Sequence, residues 1–222
     1  MEQSISKKIT LVATTIVFSS TLLLASVNYY SSYQETLKSE RIELTGCANI
    51  TTGILSAAAI EELVSGNQAN LSKVEQELEW TIDHEKVFST EYILSLDGEL
   101  LASDEHLKKQ GFEVETQFNL EQEIIDQLKQ GEVVATKVYK VSNLRKITGY
   151  APIFKDHDPN NEVIAVNAVD FEGSIVGQRT WESNKVTLFI SLLLPFLAAW
   201  ITSLVTKNML RPIKKIVNML KN

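Results

Sequence analysis

The sequence predicts an α+β domain flanked by two transmembrane helices. Residues 9–29 and 186–206 carry no charge, and each run is long and apolar enough to span a membrane. Between them, a stretch with helical periodicity precedes several short segments with the alternation and turn residues of antiparallel strands. We therefore expect a long N-terminal helix and one antiparallel five-stranded sheet with helices on one face, outside the membrane.

The distribution of charge predicts how the chain crosses the membrane. The 222 residues have a net charge of −7, yet basic residues gather at both ends and acidic residues in the middle. Basic flanks stay in the cytoplasm. We therefore expect cytoplasmic ends at 1–8 and 207–222, transmembrane helices at 9–30 and 186–206, and an extracytoplasmic domain at 31–185. A cleaved signal peptide is the alternative for the first apolar run.

Three helices are expected in the middle of the chain. Residues 31–65 contain no proline and have apolar residues at helical spacing, so they predict one long helix that continues the first span and ends at Gly66. A second helix is expected at 71–84. A short third helix is expected at 120–130, with Asn119 as its N-terminal cap.

The turn residues and the composition of the segments between them predict five strands. Asp97-Gly98 stands between two apolar runs, which is a strong local signal for a β-hairpin. The polar segment 155–161 is expected to be the turn between the last two strands. The expected strands are residues 91–96, 99–103, 132–141, 146–154 and 162–171.

Several of these segments together resemble the extracytoplasmic Cache family. The residues that carry the resemblance are 92–103, the Gly-Glu-Val-Val run from Gly131, 149–154 and 163–170. The resemblance implies one single-Cache domain over 31–185, with a PAS-like five-stranded sheet behind a long N-terminal helix. It also implies that a small metabolite, often a carboxylate or amino acid, binds between the sheet and its covering loops.

The segment after the second span resembles the start of a HAMP linker. Residues 210–216 read Leu-Arg-Pro-Ile-Lys-Lys-Ile, and in that family a proline opens the first amphipathic helix beyond the membrane. We expect Pro195, Arg211 and Pro212 to relay the signal, and Pro195 either bends the second span or is tolerated within it. The chain then looks like a receptor fragment whose output would be a chemoreceptor coil, a histidine kinase or a cyclic-dinucleotide enzyme.

No catalytic set is evident, so the chain shown is not expected to be an enzyme. It has no Gly-x-Ser-x-Gly elbow and no phosphate-binding glycine loop, and Cys47, its only cysteine, has no evident histidine partner. His84, His106 and His157 are spread through the sequence without metal-ligand spacing. No cofactor and no metal are expected. A basic patch with interleaved aromatic residues is also absent, so nucleic acid is not an expected partner.

A ligand pocket on the sheet remains as the candidate site. The strand tyrosines can present hydroxyl groups from an apolar wall, and three cations could neutralise a carboxylate: Lys137, Arg145 and Lys146. In amino-acid-binding Cache relatives, an Asp near the position of Asp170 meets the ammonium group of the ligand. The fuller Arg-x-Trp-Tyr motif of those relatives is absent. The predicted ligand residues are Trp80, His84, Tyr92, Tyr139, Arg145, Tyr150 and Asp170.

Three interpretations of the whole chain follow. In the first, a bacterial receptor, a homodimer through the 31–65 helix, binds an extracellular carboxylate, amino acid or amine. In the second, a membrane-anchored scaffold or partner-binding regulator works without a ligand, the aromatic residues belong to the core, and Asp170 makes a strand-end hydrogen bond. A hydrolase of the cell envelope is a third interpretation, which the missing catalytic set disfavours.

Overall fold

The α+β architecture predicted from the sequence is confirmed. The computed structural model describes residues 5–84, 88–105, 107, 117–141 and 143–219. Residues Thr36–Gly177 form one compact unit, and the described residues before and after them form a second unit of two helices. The helices are α1 (Ile5–Thr52), α2 (Ala57–Val64), α3 (Leu71–His84), α4 (Gln122–Lys129) and α5 (Ser174–Met219).

The long helix expected over residues 31–65 is interrupted, so that part of the prediction is wrong. Helix α1 ends at Thr52, where the amide of Gly53 donates to the carbonyl of Ile50 at 3.1 Å. Ser56 has extended backbone angles and donates its amide to Oε2 of Glu77 at 2.9 Å before α2 begins. This break places the Leu55 side chain in the hydrophobic core, where Leu55 is 1% exposed. Burying that side chain outweighs the few helical hydrogen bonds that the break removes.

The sheet contains one strand more than the sequence predicts. Its strands are β1 (Phe88–Leu94), β2 (Leu100–Ser103), β3 (Val134–Ala135), β4 (Tyr139–Val141), β5 (Leu144–Phe154) and β6 (Val163–Glu172). All pairs are antiparallel, the order is β2-β1-β6-β5-β3, and β4 also pairs with β5.

The expected strand 132–141 is split into β3 and β4 because a side chain replaces a backbone partner. The amide of Thr148 donates to Oγ1 of Thr136 at 3.0 Å, and the Thr136 amide donates to the carbonyl of Thr148 at 2.9 Å. The regular ladder of backbone hydrogen bonds with β5 is therefore interrupted after Thr136, as it is at a β-bulge. Both short strands remain paired with β5.

Helices cover both faces of the sheet, so the prediction of helices on one face is also wrong. On the first face, Leu55 from the break after α1, Ile60 of α2 and Leu78 of α3 pack with two strand residues, Ile93 and Ile153. On the second face, the core contains Leu128 from α4 with the sheet residues Tyr92, Leu94, Tyr150, Val166 and Ala168. Opposite faces are filled because alternate residues of each strand point to opposite sides.

The sequence predicted two local features, a hairpin turn and a helix cap, and only the first is correct. The hairpin at Asp97-Gly98 is confirmed, and Gly98 has a φ of 84°. A Cβ atom there would also lie 2.1 Å from the carbonyl oxygen of Phe118. The cap expected at Asn119 is wrong: helix α4 has Glu121 at its N-cap, without a side-chain capping bond.

Helices α1 and α5 contain the two apolar runs. By length and composition, Lys7–Thr52 and Ser174–Asn208 include segments apolar enough to cross a membrane, and these windows are 0% and 6% buried. Asn28, near the end of the first apolar run, donates Nδ2 to Oδ1 of Asn184 at 3.1 Å, and Asn184, just before the second run, donates to Oγ of Ser32 at 2.6 Å. These amide contacts hold the two helices of this unit together.

Helix α5 runs without a break through both of its prolines, Pro195 and Pro212, to Met219. The separate helix expected to begin at Pro212 is therefore continuous with the apolar run. A proline φ near −65° fits a helix, although each ring removes one amide donor and crowds the carbonyl four residues earlier. The side chains of Arg211 and Pro212 lie outside the described part of the structure.

A glycine allows α1 to lie close to the sheet. A Cβ atom at Gly149 of β5 would be 2.7 Å from Cγ of Leu44 and 3.1 Å from the Leu44 carbonyl oxygen. Leu44 is fully buried. The helix backbone therefore approaches the strand more closely than any other residue at position 149 would allow.

We expect Gly149→Ala to lower the free energy of unfolding by about 1–3 kcal/mol, because the added methyl group overpacks this contact. Gly177→Ala on α5 is the matched control, since no atom lies within 4 Å of a Cβ there. It should stabilise the helix by about 1 kcal/mol. Denaturant unfolding of the full chain in detergent measures both. Equal effects of the two variants would contradict the close approach of α1.

Candidate functional site

The candidate site is centred on Asp170 near the end of β6. This strand lies between β1 and β5, and Asp170 is opposite Thr90 on one side and Thr148 on the other. Directly paired residues project from the same face of a sheet. The register therefore brings two threonine hydroxyl groups to the carboxylate, and Asp170 is 1% exposed.

Four side chains donate to the Asp170 carboxylate. Oδ1 accepts from Thr148 Oγ1 at 2.6 Å and from the Tyr92 hydroxyl at 3.4 Å. Oδ2 accepts from Lys146 Nζ at 2.7 Å and from Thr90 Oγ1 at 3.2 Å. Each oxygen thus has two donors, which is the hydrogen-bonding capacity expected of a carboxylate.

The Lys146 ammonium group is the counter-ion of Asp170. The two side chains are 9% and 1% exposed, so both charges are removed from most of the solvent. A lone buried charge costs several kcal/mol, and a close partner with good geometry offsets that cost. Lys146 comes from β5, two residues before Thr148, so the alternation of that strand places both groups on one face.

Three tyrosines extend the site. The hydroxyl of Tyr139 lies 2.6 Å from Oγ1 of Thr148, and the ring of Tyr92 stacks on Phe118 with centroids 5.0 Å apart. Tyr150 belongs to the same buried cluster as Tyr92. Burial raises the pKa of the Tyr92 phenol, and the Asp170 charge raises it further. Burial and the neighbouring Tyr139 raise the pKa of Tyr150 in the same way. Both hydroxyl groups therefore stay protonated and can donate.

The structure brings together four of the seven predicted ligand residues, namely Tyr92, Tyr139, Tyr150 and Asp170. Trp80 is separate: α3 packs on the opposite face of the sheet through Leu78, and Trp80 is 52% exposed. Arg145 is exposed at the start of β5. The His84 side chain lies outside the described part of the structure.

The sequence reasoning did not single out Thr90 and Thr148, which complete the site. Each lies two residues before a predicted tyrosine, Tyr92 or Tyr150, so strand alternation was a usable signal for both. Their partnership with Asp170 depends on the strand register, which a single sequence does not display.

No match is found among protein-family models or among curated proteins compared by sequence. Similar solved structures include an extracellular ligand binding receptor from Desulfohalobium retbaense DSM5692, at 15% identity and a TM-score of 0.44 over 69% of this chain and 27% of that chain. The sensor domain of the V. cholerae histidine kinase DctB is 16% identical, with a TM-score of 0.48 over 71% of this chain and 60% of that chain.

A third similar structure is the ligand-binding domain of the Campylobacter jejuni chemoreceptor Tlp3 in complex with L-valine. It is 15% identical, with a TM-score of 0.45 over 76% of this chain and 66% of that chain. This chain therefore spans less than two thirds of each of these three proteins.

We expect Lys146→Met to lower the free energy of unfolding by about 3–5 kcal/mol, because it leaves the Asp170 carboxylate buried without its counter-ion. The exposed Lys140 on the neighbouring strand β4 supplies the matched control, Lys140→Met, which should change stability little. Adding Asp170→Asn to Lys146→Met should recover part of the loss. Denaturant midpoints of the full chain in detergent measure all three, and a Lys146→Met variant as stable as the control would refute the buried pair.

Proposed function

We propose that this chain is the sensing part of a transmembrane signal-transduction receptor. Its extracytoplasmic domain binds a small extracellular metabolite on the second face of the sheet, and its helices relay binding across the membrane. The relay passes through a HAMP-like linker into an output outside this sequence: a chemoreceptor coil, a histidine kinase or a cyclic-dinucleotide enzyme. The chain itself acts by binding, without a catalytic step.

The direct connection between Asp170 and helix α5 carries this proposal. Strand β6 ends at Glu172 and α5 begins at Ser174, so only Gly173 separates them. The Gly173 amide donates to the carbonyl of Arg145 at 2.7 Å, which ties this junction to β5. A ligand that displaces β6 would therefore displace the start of the helix that contains the second apolar run, a type of helix shift that receptors can use as a switch.

The charges of the site suit a ligand with a carboxylate or an amine. The Lys146 ammonium has one acceptor among the described residues, Asp170, and can donate to a ligand carboxylate as well. A ligand amine would compete with Lys146 for Asp170. The hydroxyl of Tyr150, at the edge of this polar cluster, can donate to a ligand carboxylate or accept from a ligand ammonium group. We therefore retain carboxylates, amino acids and amines as candidate ligands.

The proposed topology is a two-pass protein of the plasma membrane. Lys7 and Lys8 precede the first apolar run, and Lys207, Arg211 and further lysines follow the second. Basic flanks of this kind remain in the cytoplasm. Both ends of the chain are therefore cytoplasmic, and residues 31–185 lie outside the cell membrane.

The long helix also offers a surface for a second copy of the chain. Ile42 and Ile50 are 63% and 70% exposed and lie eight residues apart on α1. Gly46 stands midway between them, and a Cβ atom added there would meet no other atom within 4 Å. Residues four and eight apart share one face of a helix. We propose that a homodimer forms along this face.

A ligand-independent scaffold or partner-binding regulator is the second candidate function. The observation that favours it is the complete set of internal donors around Asp170, which satisfies the carboxylate without a ligand. A pair of Asp170 and Lys146 with a purely structural role would make the same hydrogen bonds. Ligand binding therefore has to be measured.

We expect at least one compound in a panel of carboxylates, amino acids and amines to raise the melting temperature of the full chain in detergent. A ligand at one hundred times its Kd stabilises the folded state by about 2.7 kcal/mol. Asp170→Asn and Tyr150→Phe should weaken this shift, and Lys140→Met should preserve it. A panel without any shift favours the scaffold, and a shift that both site variants preserve overturns the site.

A further inference from the structure

A second buried polar cluster lies on the first face of the sheet, under the end of helix α1. Its centre is Asn167 of β6, whose Nδ2 donates to Oε1 of Glu91 at 2.9 Å and to Oγ1 of Thr51 at 2.8 Å. Longer contacts of 3.3 Å reach the carbonyl of Ala48 and Oγ1 of Thr52. The cluster thus connects β1 and β6 to the last turn of α1.

Two oxygen atoms of this cluster have no hydrogen-bond partner among the described residues. They are Oε2 of Glu91 and Oδ1 of Asn167, and both residues are 0% exposed. An unpaired buried acceptor costs about 1–3 kcal/mol. If Glu91 were ionised, the unpaired oxygen would also belong to a buried charge without a cationic partner in the cluster, which is more costly still.

A single proton can satisfy both oxygen atoms. A protonated carboxyl group has one donor in addition to its acceptors, and a carboxamide has an acceptor beside its donors. The Asn167 amide already donates to Oε1 of Glu91, so a proton on Oε2 would be free to donate to Oδ1 of the same amide. The two side chains would then form an acid–amide pair joined by two parallel hydrogen bonds.

We propose that Glu91 and Asn167 form a proton-binding site that fastens the end of helix α1 to the sheet. With the proton bound, the amide of Asn167 is held by the carboxyl group and presents its Nδ2 to Ala48, Thr51 and Thr52. When the proton leaves, Oε2 of Glu91 and Oδ1 of Asn167 remain as two buried acceptors without a donor, and the amide keeps only one of its two bonds to the carboxyl group. The attachment of α1 is therefore weaker at higher pH, and this inference does not depend on a ligand.

Burial and one neighbouring negative charge favour the protonated form of Glu91. Thr51 faces it from α1, Thr81 from α3 and Asn167 from β6, and none of these ionises. Asp104, after β2, is fully buried and accepts from the backbone amide of Glu91. Burial raises the pKa of Glu91 to about 7, contacts with Thr51 and Asn167 lower it in part, and the negative charge of Asp104 raises it.

The raised pKa determines the direction of the pH effect. Below the ordinary pKa of 4.5, the folded and unfolded chains both hold the proton, and the contribution of the pair to stability is complete. As the pH rises from there through the folded-state pKa near 7, the unfolded chain releases the proton first, and this contribution is lost. The loss is complete above that pKa.

The substitution Glu91→Gln tests the proposal, because a glutamine amide can make the same two bonds to Asn167 without a proton. We expect the melting temperature of Glu91→Gln to exceed that of the wild-type chain by a margin that grows from pH 5 to pH 8. Glu99→Gln, an exposed change on the same hairpin, should show no such growing margin. A margin independent of pH, or a less stable variant at pH 8, would overturn the proposal.

Infrared spectroscopy of the full chain in detergent supplies a test that does not depend on the variant being stable. The wild-type chain should show the carbonyl band of a protonated carboxyl group that disappears with a midpoint near pH 7. Glu91→Gln should lack this band, and Glu99→Gln should keep it. Absence of the band from the wild-type chain at pH 5 to 6 would mean an ionised Glu91 and would refute the site.

Hydrogen exchange reports on the attachment of α1. The measured rates are first corrected for the intrinsic exchange rate at each pH. The ratio of the exchange rate of amides 48–52 in the wild-type chain to that in Glu91→Gln should then be larger at pH 8 than at pH 6. Amides of α4 serve as an internal reference, since that helix packs on the second face of the sheet through Leu128. If the proton changes overall stability while amides 48–52 respond no more than α4, the proposed fastening of α1 is wrong.

Discussion

The packing of helix α1 on the centre of the sheet is the constraint on which the other features depend. Gly149 lets the backbone at Leu44 approach β5 closely, and Asn167 binds the last turn of the same helix. Without that contact the first face of the sheet would expose its apolar residues, and Glu91 would be solvated. Since α1 runs unbroken from its apolar run to Thr52, the segment fixed on the sheet and the segment suited to a membrane belong to one helix.

Strand β6 connects the two buried polar systems. Asp170 lies on the second face with Lys146, and Asn167 lies on the first face with Glu91, because residues an odd number of positions apart project to opposite sides. The first system neutralises its charge with an ion pair and the second with a proton. The strand that carries both leads into α5 after a single glycine, so a change at either face can alter the start of that helix.

Local signals in the sequence predicted much of the fold and little of the site. The hairpin at Asp97-Gly98 and helix α3 depend on neighbouring residues, and both were predicted correctly. The break after Thr52 depends on burying Leu55 in a core assembled from distant segments. The pairing of Asp170 with Lys146 likewise depends on strand register. The pattern of a single sequence says little about contacts between distant segments. Thr90, Thr148 and the pair of Glu91 with Asn167 were therefore not predicted.

Our central proposal is that the sheet domain lies outside a membrane that both apolar helices cross. Accessibility of single cysteines tests it directly, with Cys47→Ser as the background and new cysteines at two exposed positions, Asp97 in the hairpin turn and Lys7 before the first apolar run. In intact cells, a membrane-impermeant maleimide should label position 97, and it should label position 7 only after permeabilisation. Labelling of position 97 only in permeabilised cells would contradict the proposal.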